Sequence, residues 1–118
     1  MLPKQYRLKN KSAFTATYRV KHSYYKKGIA LFVGVLKKDP NQLTRAGFVV
    51  SKKTSKKSVK RNRLKRLMRE SYRLLLKEGI PETSQKYMSL VFVGHERALD
   101  KSLKDIKPVV EELLKGIA

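Results

Sequence analysis

No cysteine and no tryptophan occur in the 118 residues, and acids are scarce. Without cysteine there is no disulfide framework and no thiolate metal site, so a reducing cytoplasm is the compartment to expect. Acidic residues number nine against 29 basic ones. A two-metal nuclease needs several carboxylates converging on ions about 4 Å apart. Here they are scattered, with Asp39 in a turn, Glu70 and Glu78 on one helical pattern, and most of the rest near the C-terminus. His22 and His95 lie far apart in no ligand spacing and read as ordinary surface or packing residues. No apolar run approaches the roughly 18 residues that span a bilayer. The opening MLPKQYRLKN lacks the apolar stretch of a signal peptide. No catalytic side chain, no metal site and no cofactor bound by the chain itself is expected.

What the chain has in excess is positive charge, a formal +20 at pH 7. On a chain of single-domain length, here taken as residues 1–118, such a charge calls for a polyanionic partner and says nothing about fold. It is concentrated in KRNRLKRLMRE, residues 60–70, where six cations accompany one acid. From Ser51 to Arg73 there are eleven basic residues, Lys60, Arg61, Arg63, Lys65, Arg66, Arg69 and Arg73 among them, and Glu70 alone opposes them. A merely solvated helix face usually interleaves both signs for support between successive turns. Uniform sign points instead to phosphate, which arginine grips with a planar fork. A membrane surface would need the apolar side of this helix, which the fold requires for itself.

The elements follow from periodicity. A short helix over 13–20, capped by Ser12, puts Phe14 and Tyr18 on one face. In GIALFVGVLKK, period-two alternation and apolar residues on both faces predict a central or covered strand. The turn signal Asp39-Pro40-Asn41 leads to a second strand, RAGFVVSKK, at a distance that predicts an antiparallel pair. A helix over 59–77 with Ser58 as cap carries an apolar stripe of Leu64, Leu67, Met68, Ser71, Tyr72, Leu74 and Leu75. Asn62, Arg66, Arg69, Arg73 and Lys77 fall on its opposite side, and Gly79 with Pro81 stops it. KYMSLVFVG is a third main strand, and a last helix covers 103–116. There Pro108 is tolerable if Asp105 is the cap, and otherwise predicts a kink. The sum is an α+β domain with helices packed on a small sheet.

Aromatics bear on the kind of nucleic acid. Phe14, Tyr18, Tyr24, Tyr25 and Phe32 cluster in the first third beside Lys21, Lys26 and Lys27. Rings next to cations make stacking platforms for unpaired bases, each worth roughly 1–3 kcal/mol. Phe14 and Phe32 are equally compatible with simple core packing. No zinc-finger spacing or leucine zipper suggests a duplex-DNA reader.

RAGFVVSKK followed by SVKRNRLKRLMRESYR closely resembles the protein subunit of bacterial ribonuclease P, and YRLKNKSAFTATYRVKHS is similar to that family's opening. The resemblance implies a single-domain α/β sandwich with a small mixed sheet, about three helices and a left-handed βαβ crossover. It implies that the chain assists a catalytic RNA in removing the 5′ leader of precursor tRNA, one protein per RNA, with Mg²⁺ required by the RNA. By the same resemblance Lys60, Arg61, Asn62, Arg63, Lys65, Arg66, Arg69 and Arg73 face the catalytic RNA. Phe14, Tyr18 and Phe32 line the leader cleft, with Lys52 and Lys53 at its rim. The chain departs from the family at TSKKS, where many members have Gly-Asn-Ala, and at HSYYKKG. The competing reading is a ribosomal or other structural RNA-binding protein, for which a disordered basic tail would be more usual.

Overall fold

The chain folds as helix, hairpin, strand, long helix, strand, helix. The structure is a computed structural model describing residues 2–80 and 82–117. Helix α1 spans Lys11–Arg19, strands β1 and β2 span His22–Lys26 and Ile29–Val33, and β3 spans Arg45–Val50. Helix α2 spans Ser58–Glu78, β4 spans Ser89–Gly94, and α3 spans Leu103–Lys115.

The sheet order is β1-β2-β4-β3. β2 pairs antiparallel with β1 on one side and with β4 on the other, while β3 pairs parallel with β4. The expected antiparallel partnership of the two strands flanking Asp39-Pro40-Asn41 is therefore not formed. The connection after β2 steps over one strand position, which β4 fills once α2 has crossed. The sheet is mixed, as the resemblance implies, and β3–α2–β4 is a βαβ crossover. β2 is interior and buried at four of its five positions, as its two-sided apolar pattern predicts.

Strand β1 is the element that periodicity misses. It is joined to β2 by Lys27 and Gly28, both at positive φ (45° and 87°), the pattern of a type I′ turn. Glycine takes that conformation without strain, and its carbonyl is held by the His95 N–H at 2.8 Å.

Alternation then sorts the sheet into two faces. Tyr24, Leu31, Phe92 and Phe48 form one cross-sheet row toward α2 and α3. Phe48 stacks on Phe92 at 5.6 Å and meets Tyr72 of α2 edge-on at 6.2 Å. From α2, Leu64, Met68, Ser71, Tyr72 and Leu75 are buried, five of the seven stripe positions. From α3, Ile106, Val109, Val110, Leu113 and Leu114 are buried. Helix α1 packs on the other face, with Leu8 beside it over Gly47.

All three expected caps shift by a few residues. Asn10, not Ser12, caps α1, its Oδ1 accepting from the Ser12 N–H at 3.0 Å. Ser58 is the first residue of α2 instead of its cap. In α3 the cap is Ser102, in a reciprocal capping box with Asp105. Pro108 consequently lies inside α3, beyond its first turn. Gly79 ends α2 with φ 79°, and Pro81 falls outside the described residues.

Candidate nucleic-acid interface

Helix α1 lies across the sheet because its inward side chains are matched to the strands beneath. Thr17 is buried, with its hydroxyl 2.6 Å from that of Ser89 on β4. The Phe14 ring rests on Gly47 of β3, where a Cβ would stand 2.4 Å from two ring atoms. Tyr18 meets Phe32 of β2 edge-on, with centroids 4.9 Å apart. Burial raises the Tyr18 hydroxyl pKa above its ordinary value. Phe14, Tyr18 and Phe32 thus share one face, and each is half-buried.

Beside α1 this face continues uncovered. Tyr25, Ala30, Val93 and Val49 form the next cross-sheet row. Val49 and Val93 are half-buried, while Tyr25 is 60% exposed and lies 5.9 Å from the His95 ring. The result is a partly exposed apolar strip of sheet beside the Phe14, Tyr18 and Phe32 rings. Lys52 and Lys53 are exposed in the turn leaving β3, just past Val49. Tyr24, one residue from Tyr25, points to the opposite face and bonds His22 at 2.7 Å. The five clustered aromatics therefore divide between two faces, which composition alone cannot reveal.

The basic helix sorts its cations by role. Asn62 and Arg66 are exposed, and among the described residues neither side chain has a hydrogen bond or ion pair. Lys65 is half-buried and similarly unpaired. Arg61 donates to the Ser55 carbonyl at 2.7 Å, tying the lysine-rich 51–57 segment to the helix start. Arg63 reaches the Leu99 carbonyl at 3.3 Å, and Lys60 lies 3.5 Å from the Asp100 carboxylate. Arg69 sits over the Phe48 ring at 5.9 Å. Its pKa is lowered by desolvation and by nearby Arg7. Arg73 is clamped by Glu70, one turn back on the same helix. Its Nε donates at 2.9 and 3.1 Å, and that hydrogen bond holds the Glu70 carboxyl below its usual range.

Eight residues expected as one array are thus two groups. Asn62, Lys65 and Arg66 stay free toward solvent, while Lys60, Arg61, Arg63, Arg69 and Arg73 are engaged within the protein. The Glu70–Arg73 spacing was available in the sequence; the partnerships with Ser55, Leu99 and Asp100 were not. Among the described residues no group of three or more His, Asp or Glu side chains is placed to hold a metal ion. No helix among them is long and apolar enough to cross a membrane.

Comparison with known proteins identifies the family. A model of the Ribonuclease P family matches residues 2–118. The ribonuclease P protein component of Clostridium botulinum strain Langeland is 37% identical over 112 residues, covering 95% of this chain and 94% of that protein. That of Symbiobacterium thermophilum is 38% identical, covering 95% and 90%. The Staphylococcus aureus RNase P protein structure aligns with a TM-score of 0.74 at 26% identity, covering 93% of each chain. The Thermotoga maritima protein, at 23% identity, matches in fold with a TM-score of 0.76 over 95% of this chain and 97% of that one. The chain belongs to the ribonuclease P protein family, the protein component of an enzyme whose hydrolytic chemistry is carried by RNA.

Proposed function

We propose that this chain binds the catalytic RNA through the solvent side of α2 and seats the 5′ leader of precursor tRNA on the apolar strip beside α1. Phe14, Tyr18 and Phe32 stack on unpaired leader bases, and Lys52 and Lys53 meet the phosphates at the rim. Asn62, Lys65 and Arg66 contact the catalytic RNA directly. Arg61 and Arg63 act mainly by fixing the helix start against the 51–57 and 96–102 segments. One protein serves one RNA in the cytoplasm, and the Mg²⁺ ions used in hydrolysis belong to the RNA. By lowering repulsion between strands, the cations let those ions bind at lower concentration.

The observation that carries this reading is the placement of three aromatic side chains, from two separate elements, on the one sheet face that α2 and α3 leave uncovered. A core role alone would have buried them completely, as it does Phe92.

The test is reconstitution with ribonuclease P RNA at low Mg²⁺, using precursor tRNAs of different leader length and mature tRNA. Phe14→Ala or Phe32→Ala should weaken leader-bearing substrate roughly 5- to 150-fold, the equivalent of one stacked base. Mature tRNA should be almost unaffected. Equal weakening of both would refute the assignment of the leader to this strip. Failure of the wild-type protein to stimulate at any leader length would favour a structural RNA-binding role.

A further inference from the structure

Helix α1 has a second flank, and the surface there is hollow. A trough of about 630 Å³ lies between α1 and the connection from β2 to β3, on the side away from Phe14 and Tyr18. It exists because the residues lining α1 and the sheet there are small, namely Ala13, Ala16 and Thr17 on the helix and Gly34 and Ser89 beneath. Gly34 packs so closely on Ser89 that a Cβ would stand 2.2 Å from its hydroxyl. The far wall is apolar yet open, with Val35 53%, Leu43 45% and Met88 39% exposed. Lys9, Arg45, Gln5 and Gln42 also line it.

The charge around this trough limits what can occupy it. The first fifty residues carry eleven basic side chains and a single acid, Asp39. That carboxylate is already used on the Asn41 N–H at 2.9 Å. A second copy of a chain carrying +20 would be repelled from such a surface. An apolar slot with amides and two cations in its lining suits an unstacked nucleotide. The base slides against leucine and methionine, the amides meet its edge, and the phosphate meets Lys9 or Arg45.

We propose that this trough is a second seat for the 5′ leader, taking an unpaired nucleotide farther from the cleavage site than those on the aromatic strip. The inference rests on the reading that the leader occupies that strip. Strip and trough flank the same nine-residue helix, which is about 10 Å across. A leader of sufficient length leaving the strip can cross α1 and enter the trough.

The experiment compares affinities of the reconstituted holoenzyme for precursor tRNAs with a short leader and with a leader several nucleotides longer. Wild-type protein should bind the longer leader more tightly. Ala16→Trp fills the trough from an exposed helix position, and Leu43→Asp places a negative charge in its far wall. Each should remove that gain, a loss of about tenfold for one seated base. Circular dichroism establishes that each variant is folded, and either variant alone suffices for the test. Retention of the full gain in both variants overturns the proposal. Equal weakening of short and long leaders also overturns it, because the trough would then face the catalytic RNA or a protein. Phe14→Ala separates this result from the reading beneath it. If Phe14→Ala weakens neither substrate, the strip assignment fails, whatever the trough variants show.

Discussion

Replacing Arg66 and Arg73, seven residues apart on α2, should have unequal effects on the salt dependence of RNA binding. Arg66 is exposed, and its guanidinium meets no acid among the described residues. Each phosphate contact contributes about 0.7 (single strand) to 0.9 (duplex) to the slope of log K against log salt. Arg66→Ala should flatten the slope by about that much. Arg73 carries the same formal charge, but Glu70 already matches it through a hydrogen-bonded ion pair. A cation neutralised by its own helix releases few counterions from RNA, so Arg73→Ala should flatten the slope by only a small fraction of the Arg66 effect. The reciprocal change is sharper. Glu70→Gln frees Arg73, and the slope should steepen by nearly one contact. The assay is fluorescence anisotropy of labelled ribonuclease P RNA titrated with each variant across a range of salt concentrations. Equal flattening by Arg66→Ala and Arg73→Ala would refute the division of the helix into free and engaged cations. So would an unchanged slope in Glu70→Gln.

Three further outcomes follow from the packing. Burial pushes the Tyr72 hydroxyl up to about 12, from an ordinary value near 10. The unfolded chain therefore releases this proton first, and the native state loses stability as pH climbs from about 10 to 12, by about 3 kcal/mol in all. Denaturant titrations should show that decline in wild type and a shallower one in Tyr72→Phe; parallel declines would contradict it. Gly47→Ala drives a methyl into the Phe14 ring and should cost about 1–3 kcal/mol by urea denaturation. Combined with Phe14→Ala, much of that cost should disappear, whereas strict additivity would place the ring elsewhere. Finally, the melting temperature of the protein without RNA should rise with added sodium chloride, and a flat response would deny that self-repulsion matters.

Individual elements were legible in the sequence to different depths. The stripe on α2 was readable because helical period decides which side chains can reach a sheet, and Leu64, Met68, Tyr72 and Leu75 all reach it. Strand β2 was readable for the same kind of reason. Its neighbours were not, because alternation identifies a strand and says nothing of what lies beside it. The place between β2 and β3 is taken only after α2 has crossed, and β4 is a later segment of the chain. Strand β1 was hidden by its polar composition, although Lys27-Gly28 was a usable turn signal. The caps failed differently. Asn10 and Ser12 both have the chemistry, and the chosen one is whichever the incoming chain holds extended, here Asn10 at φ −82° and ψ 127°. At the candidate site, the residue types were legible and their division of labour was not. Arg63 cannot be distinguished from Arg66 until Leu99 is seen beside it.

The acids explain why so uniform a charge is compatible with a fold at all. Glu70, Glu78, Asp100, Glu111 and Glu112 each pair with a lysine or arginine, and Asp105 and Asp39 are used in a helix cap and a turn. Every acid that pairs does so on or against α2 and α3, where helices must pack closely and repulsion would be costly. Lys26 pairs with Glu112 because the β1–β2 turn packs there as well. Among the described residues no acid pairs with a cation of α1. Acids are therefore spent where the helices pack, while exposed cations such as Arg66 on α2 and Lys11 and Arg19 on α1 have no acidic partner among the described residues. The same imbalance has opposite consequences in the two states. Salt screens the repulsion that weakens the free protein, and it also removes the counterion release that drives RNA onto the surface. Stability of the free protein and affinity for RNA should then move in opposite directions along one salt titration.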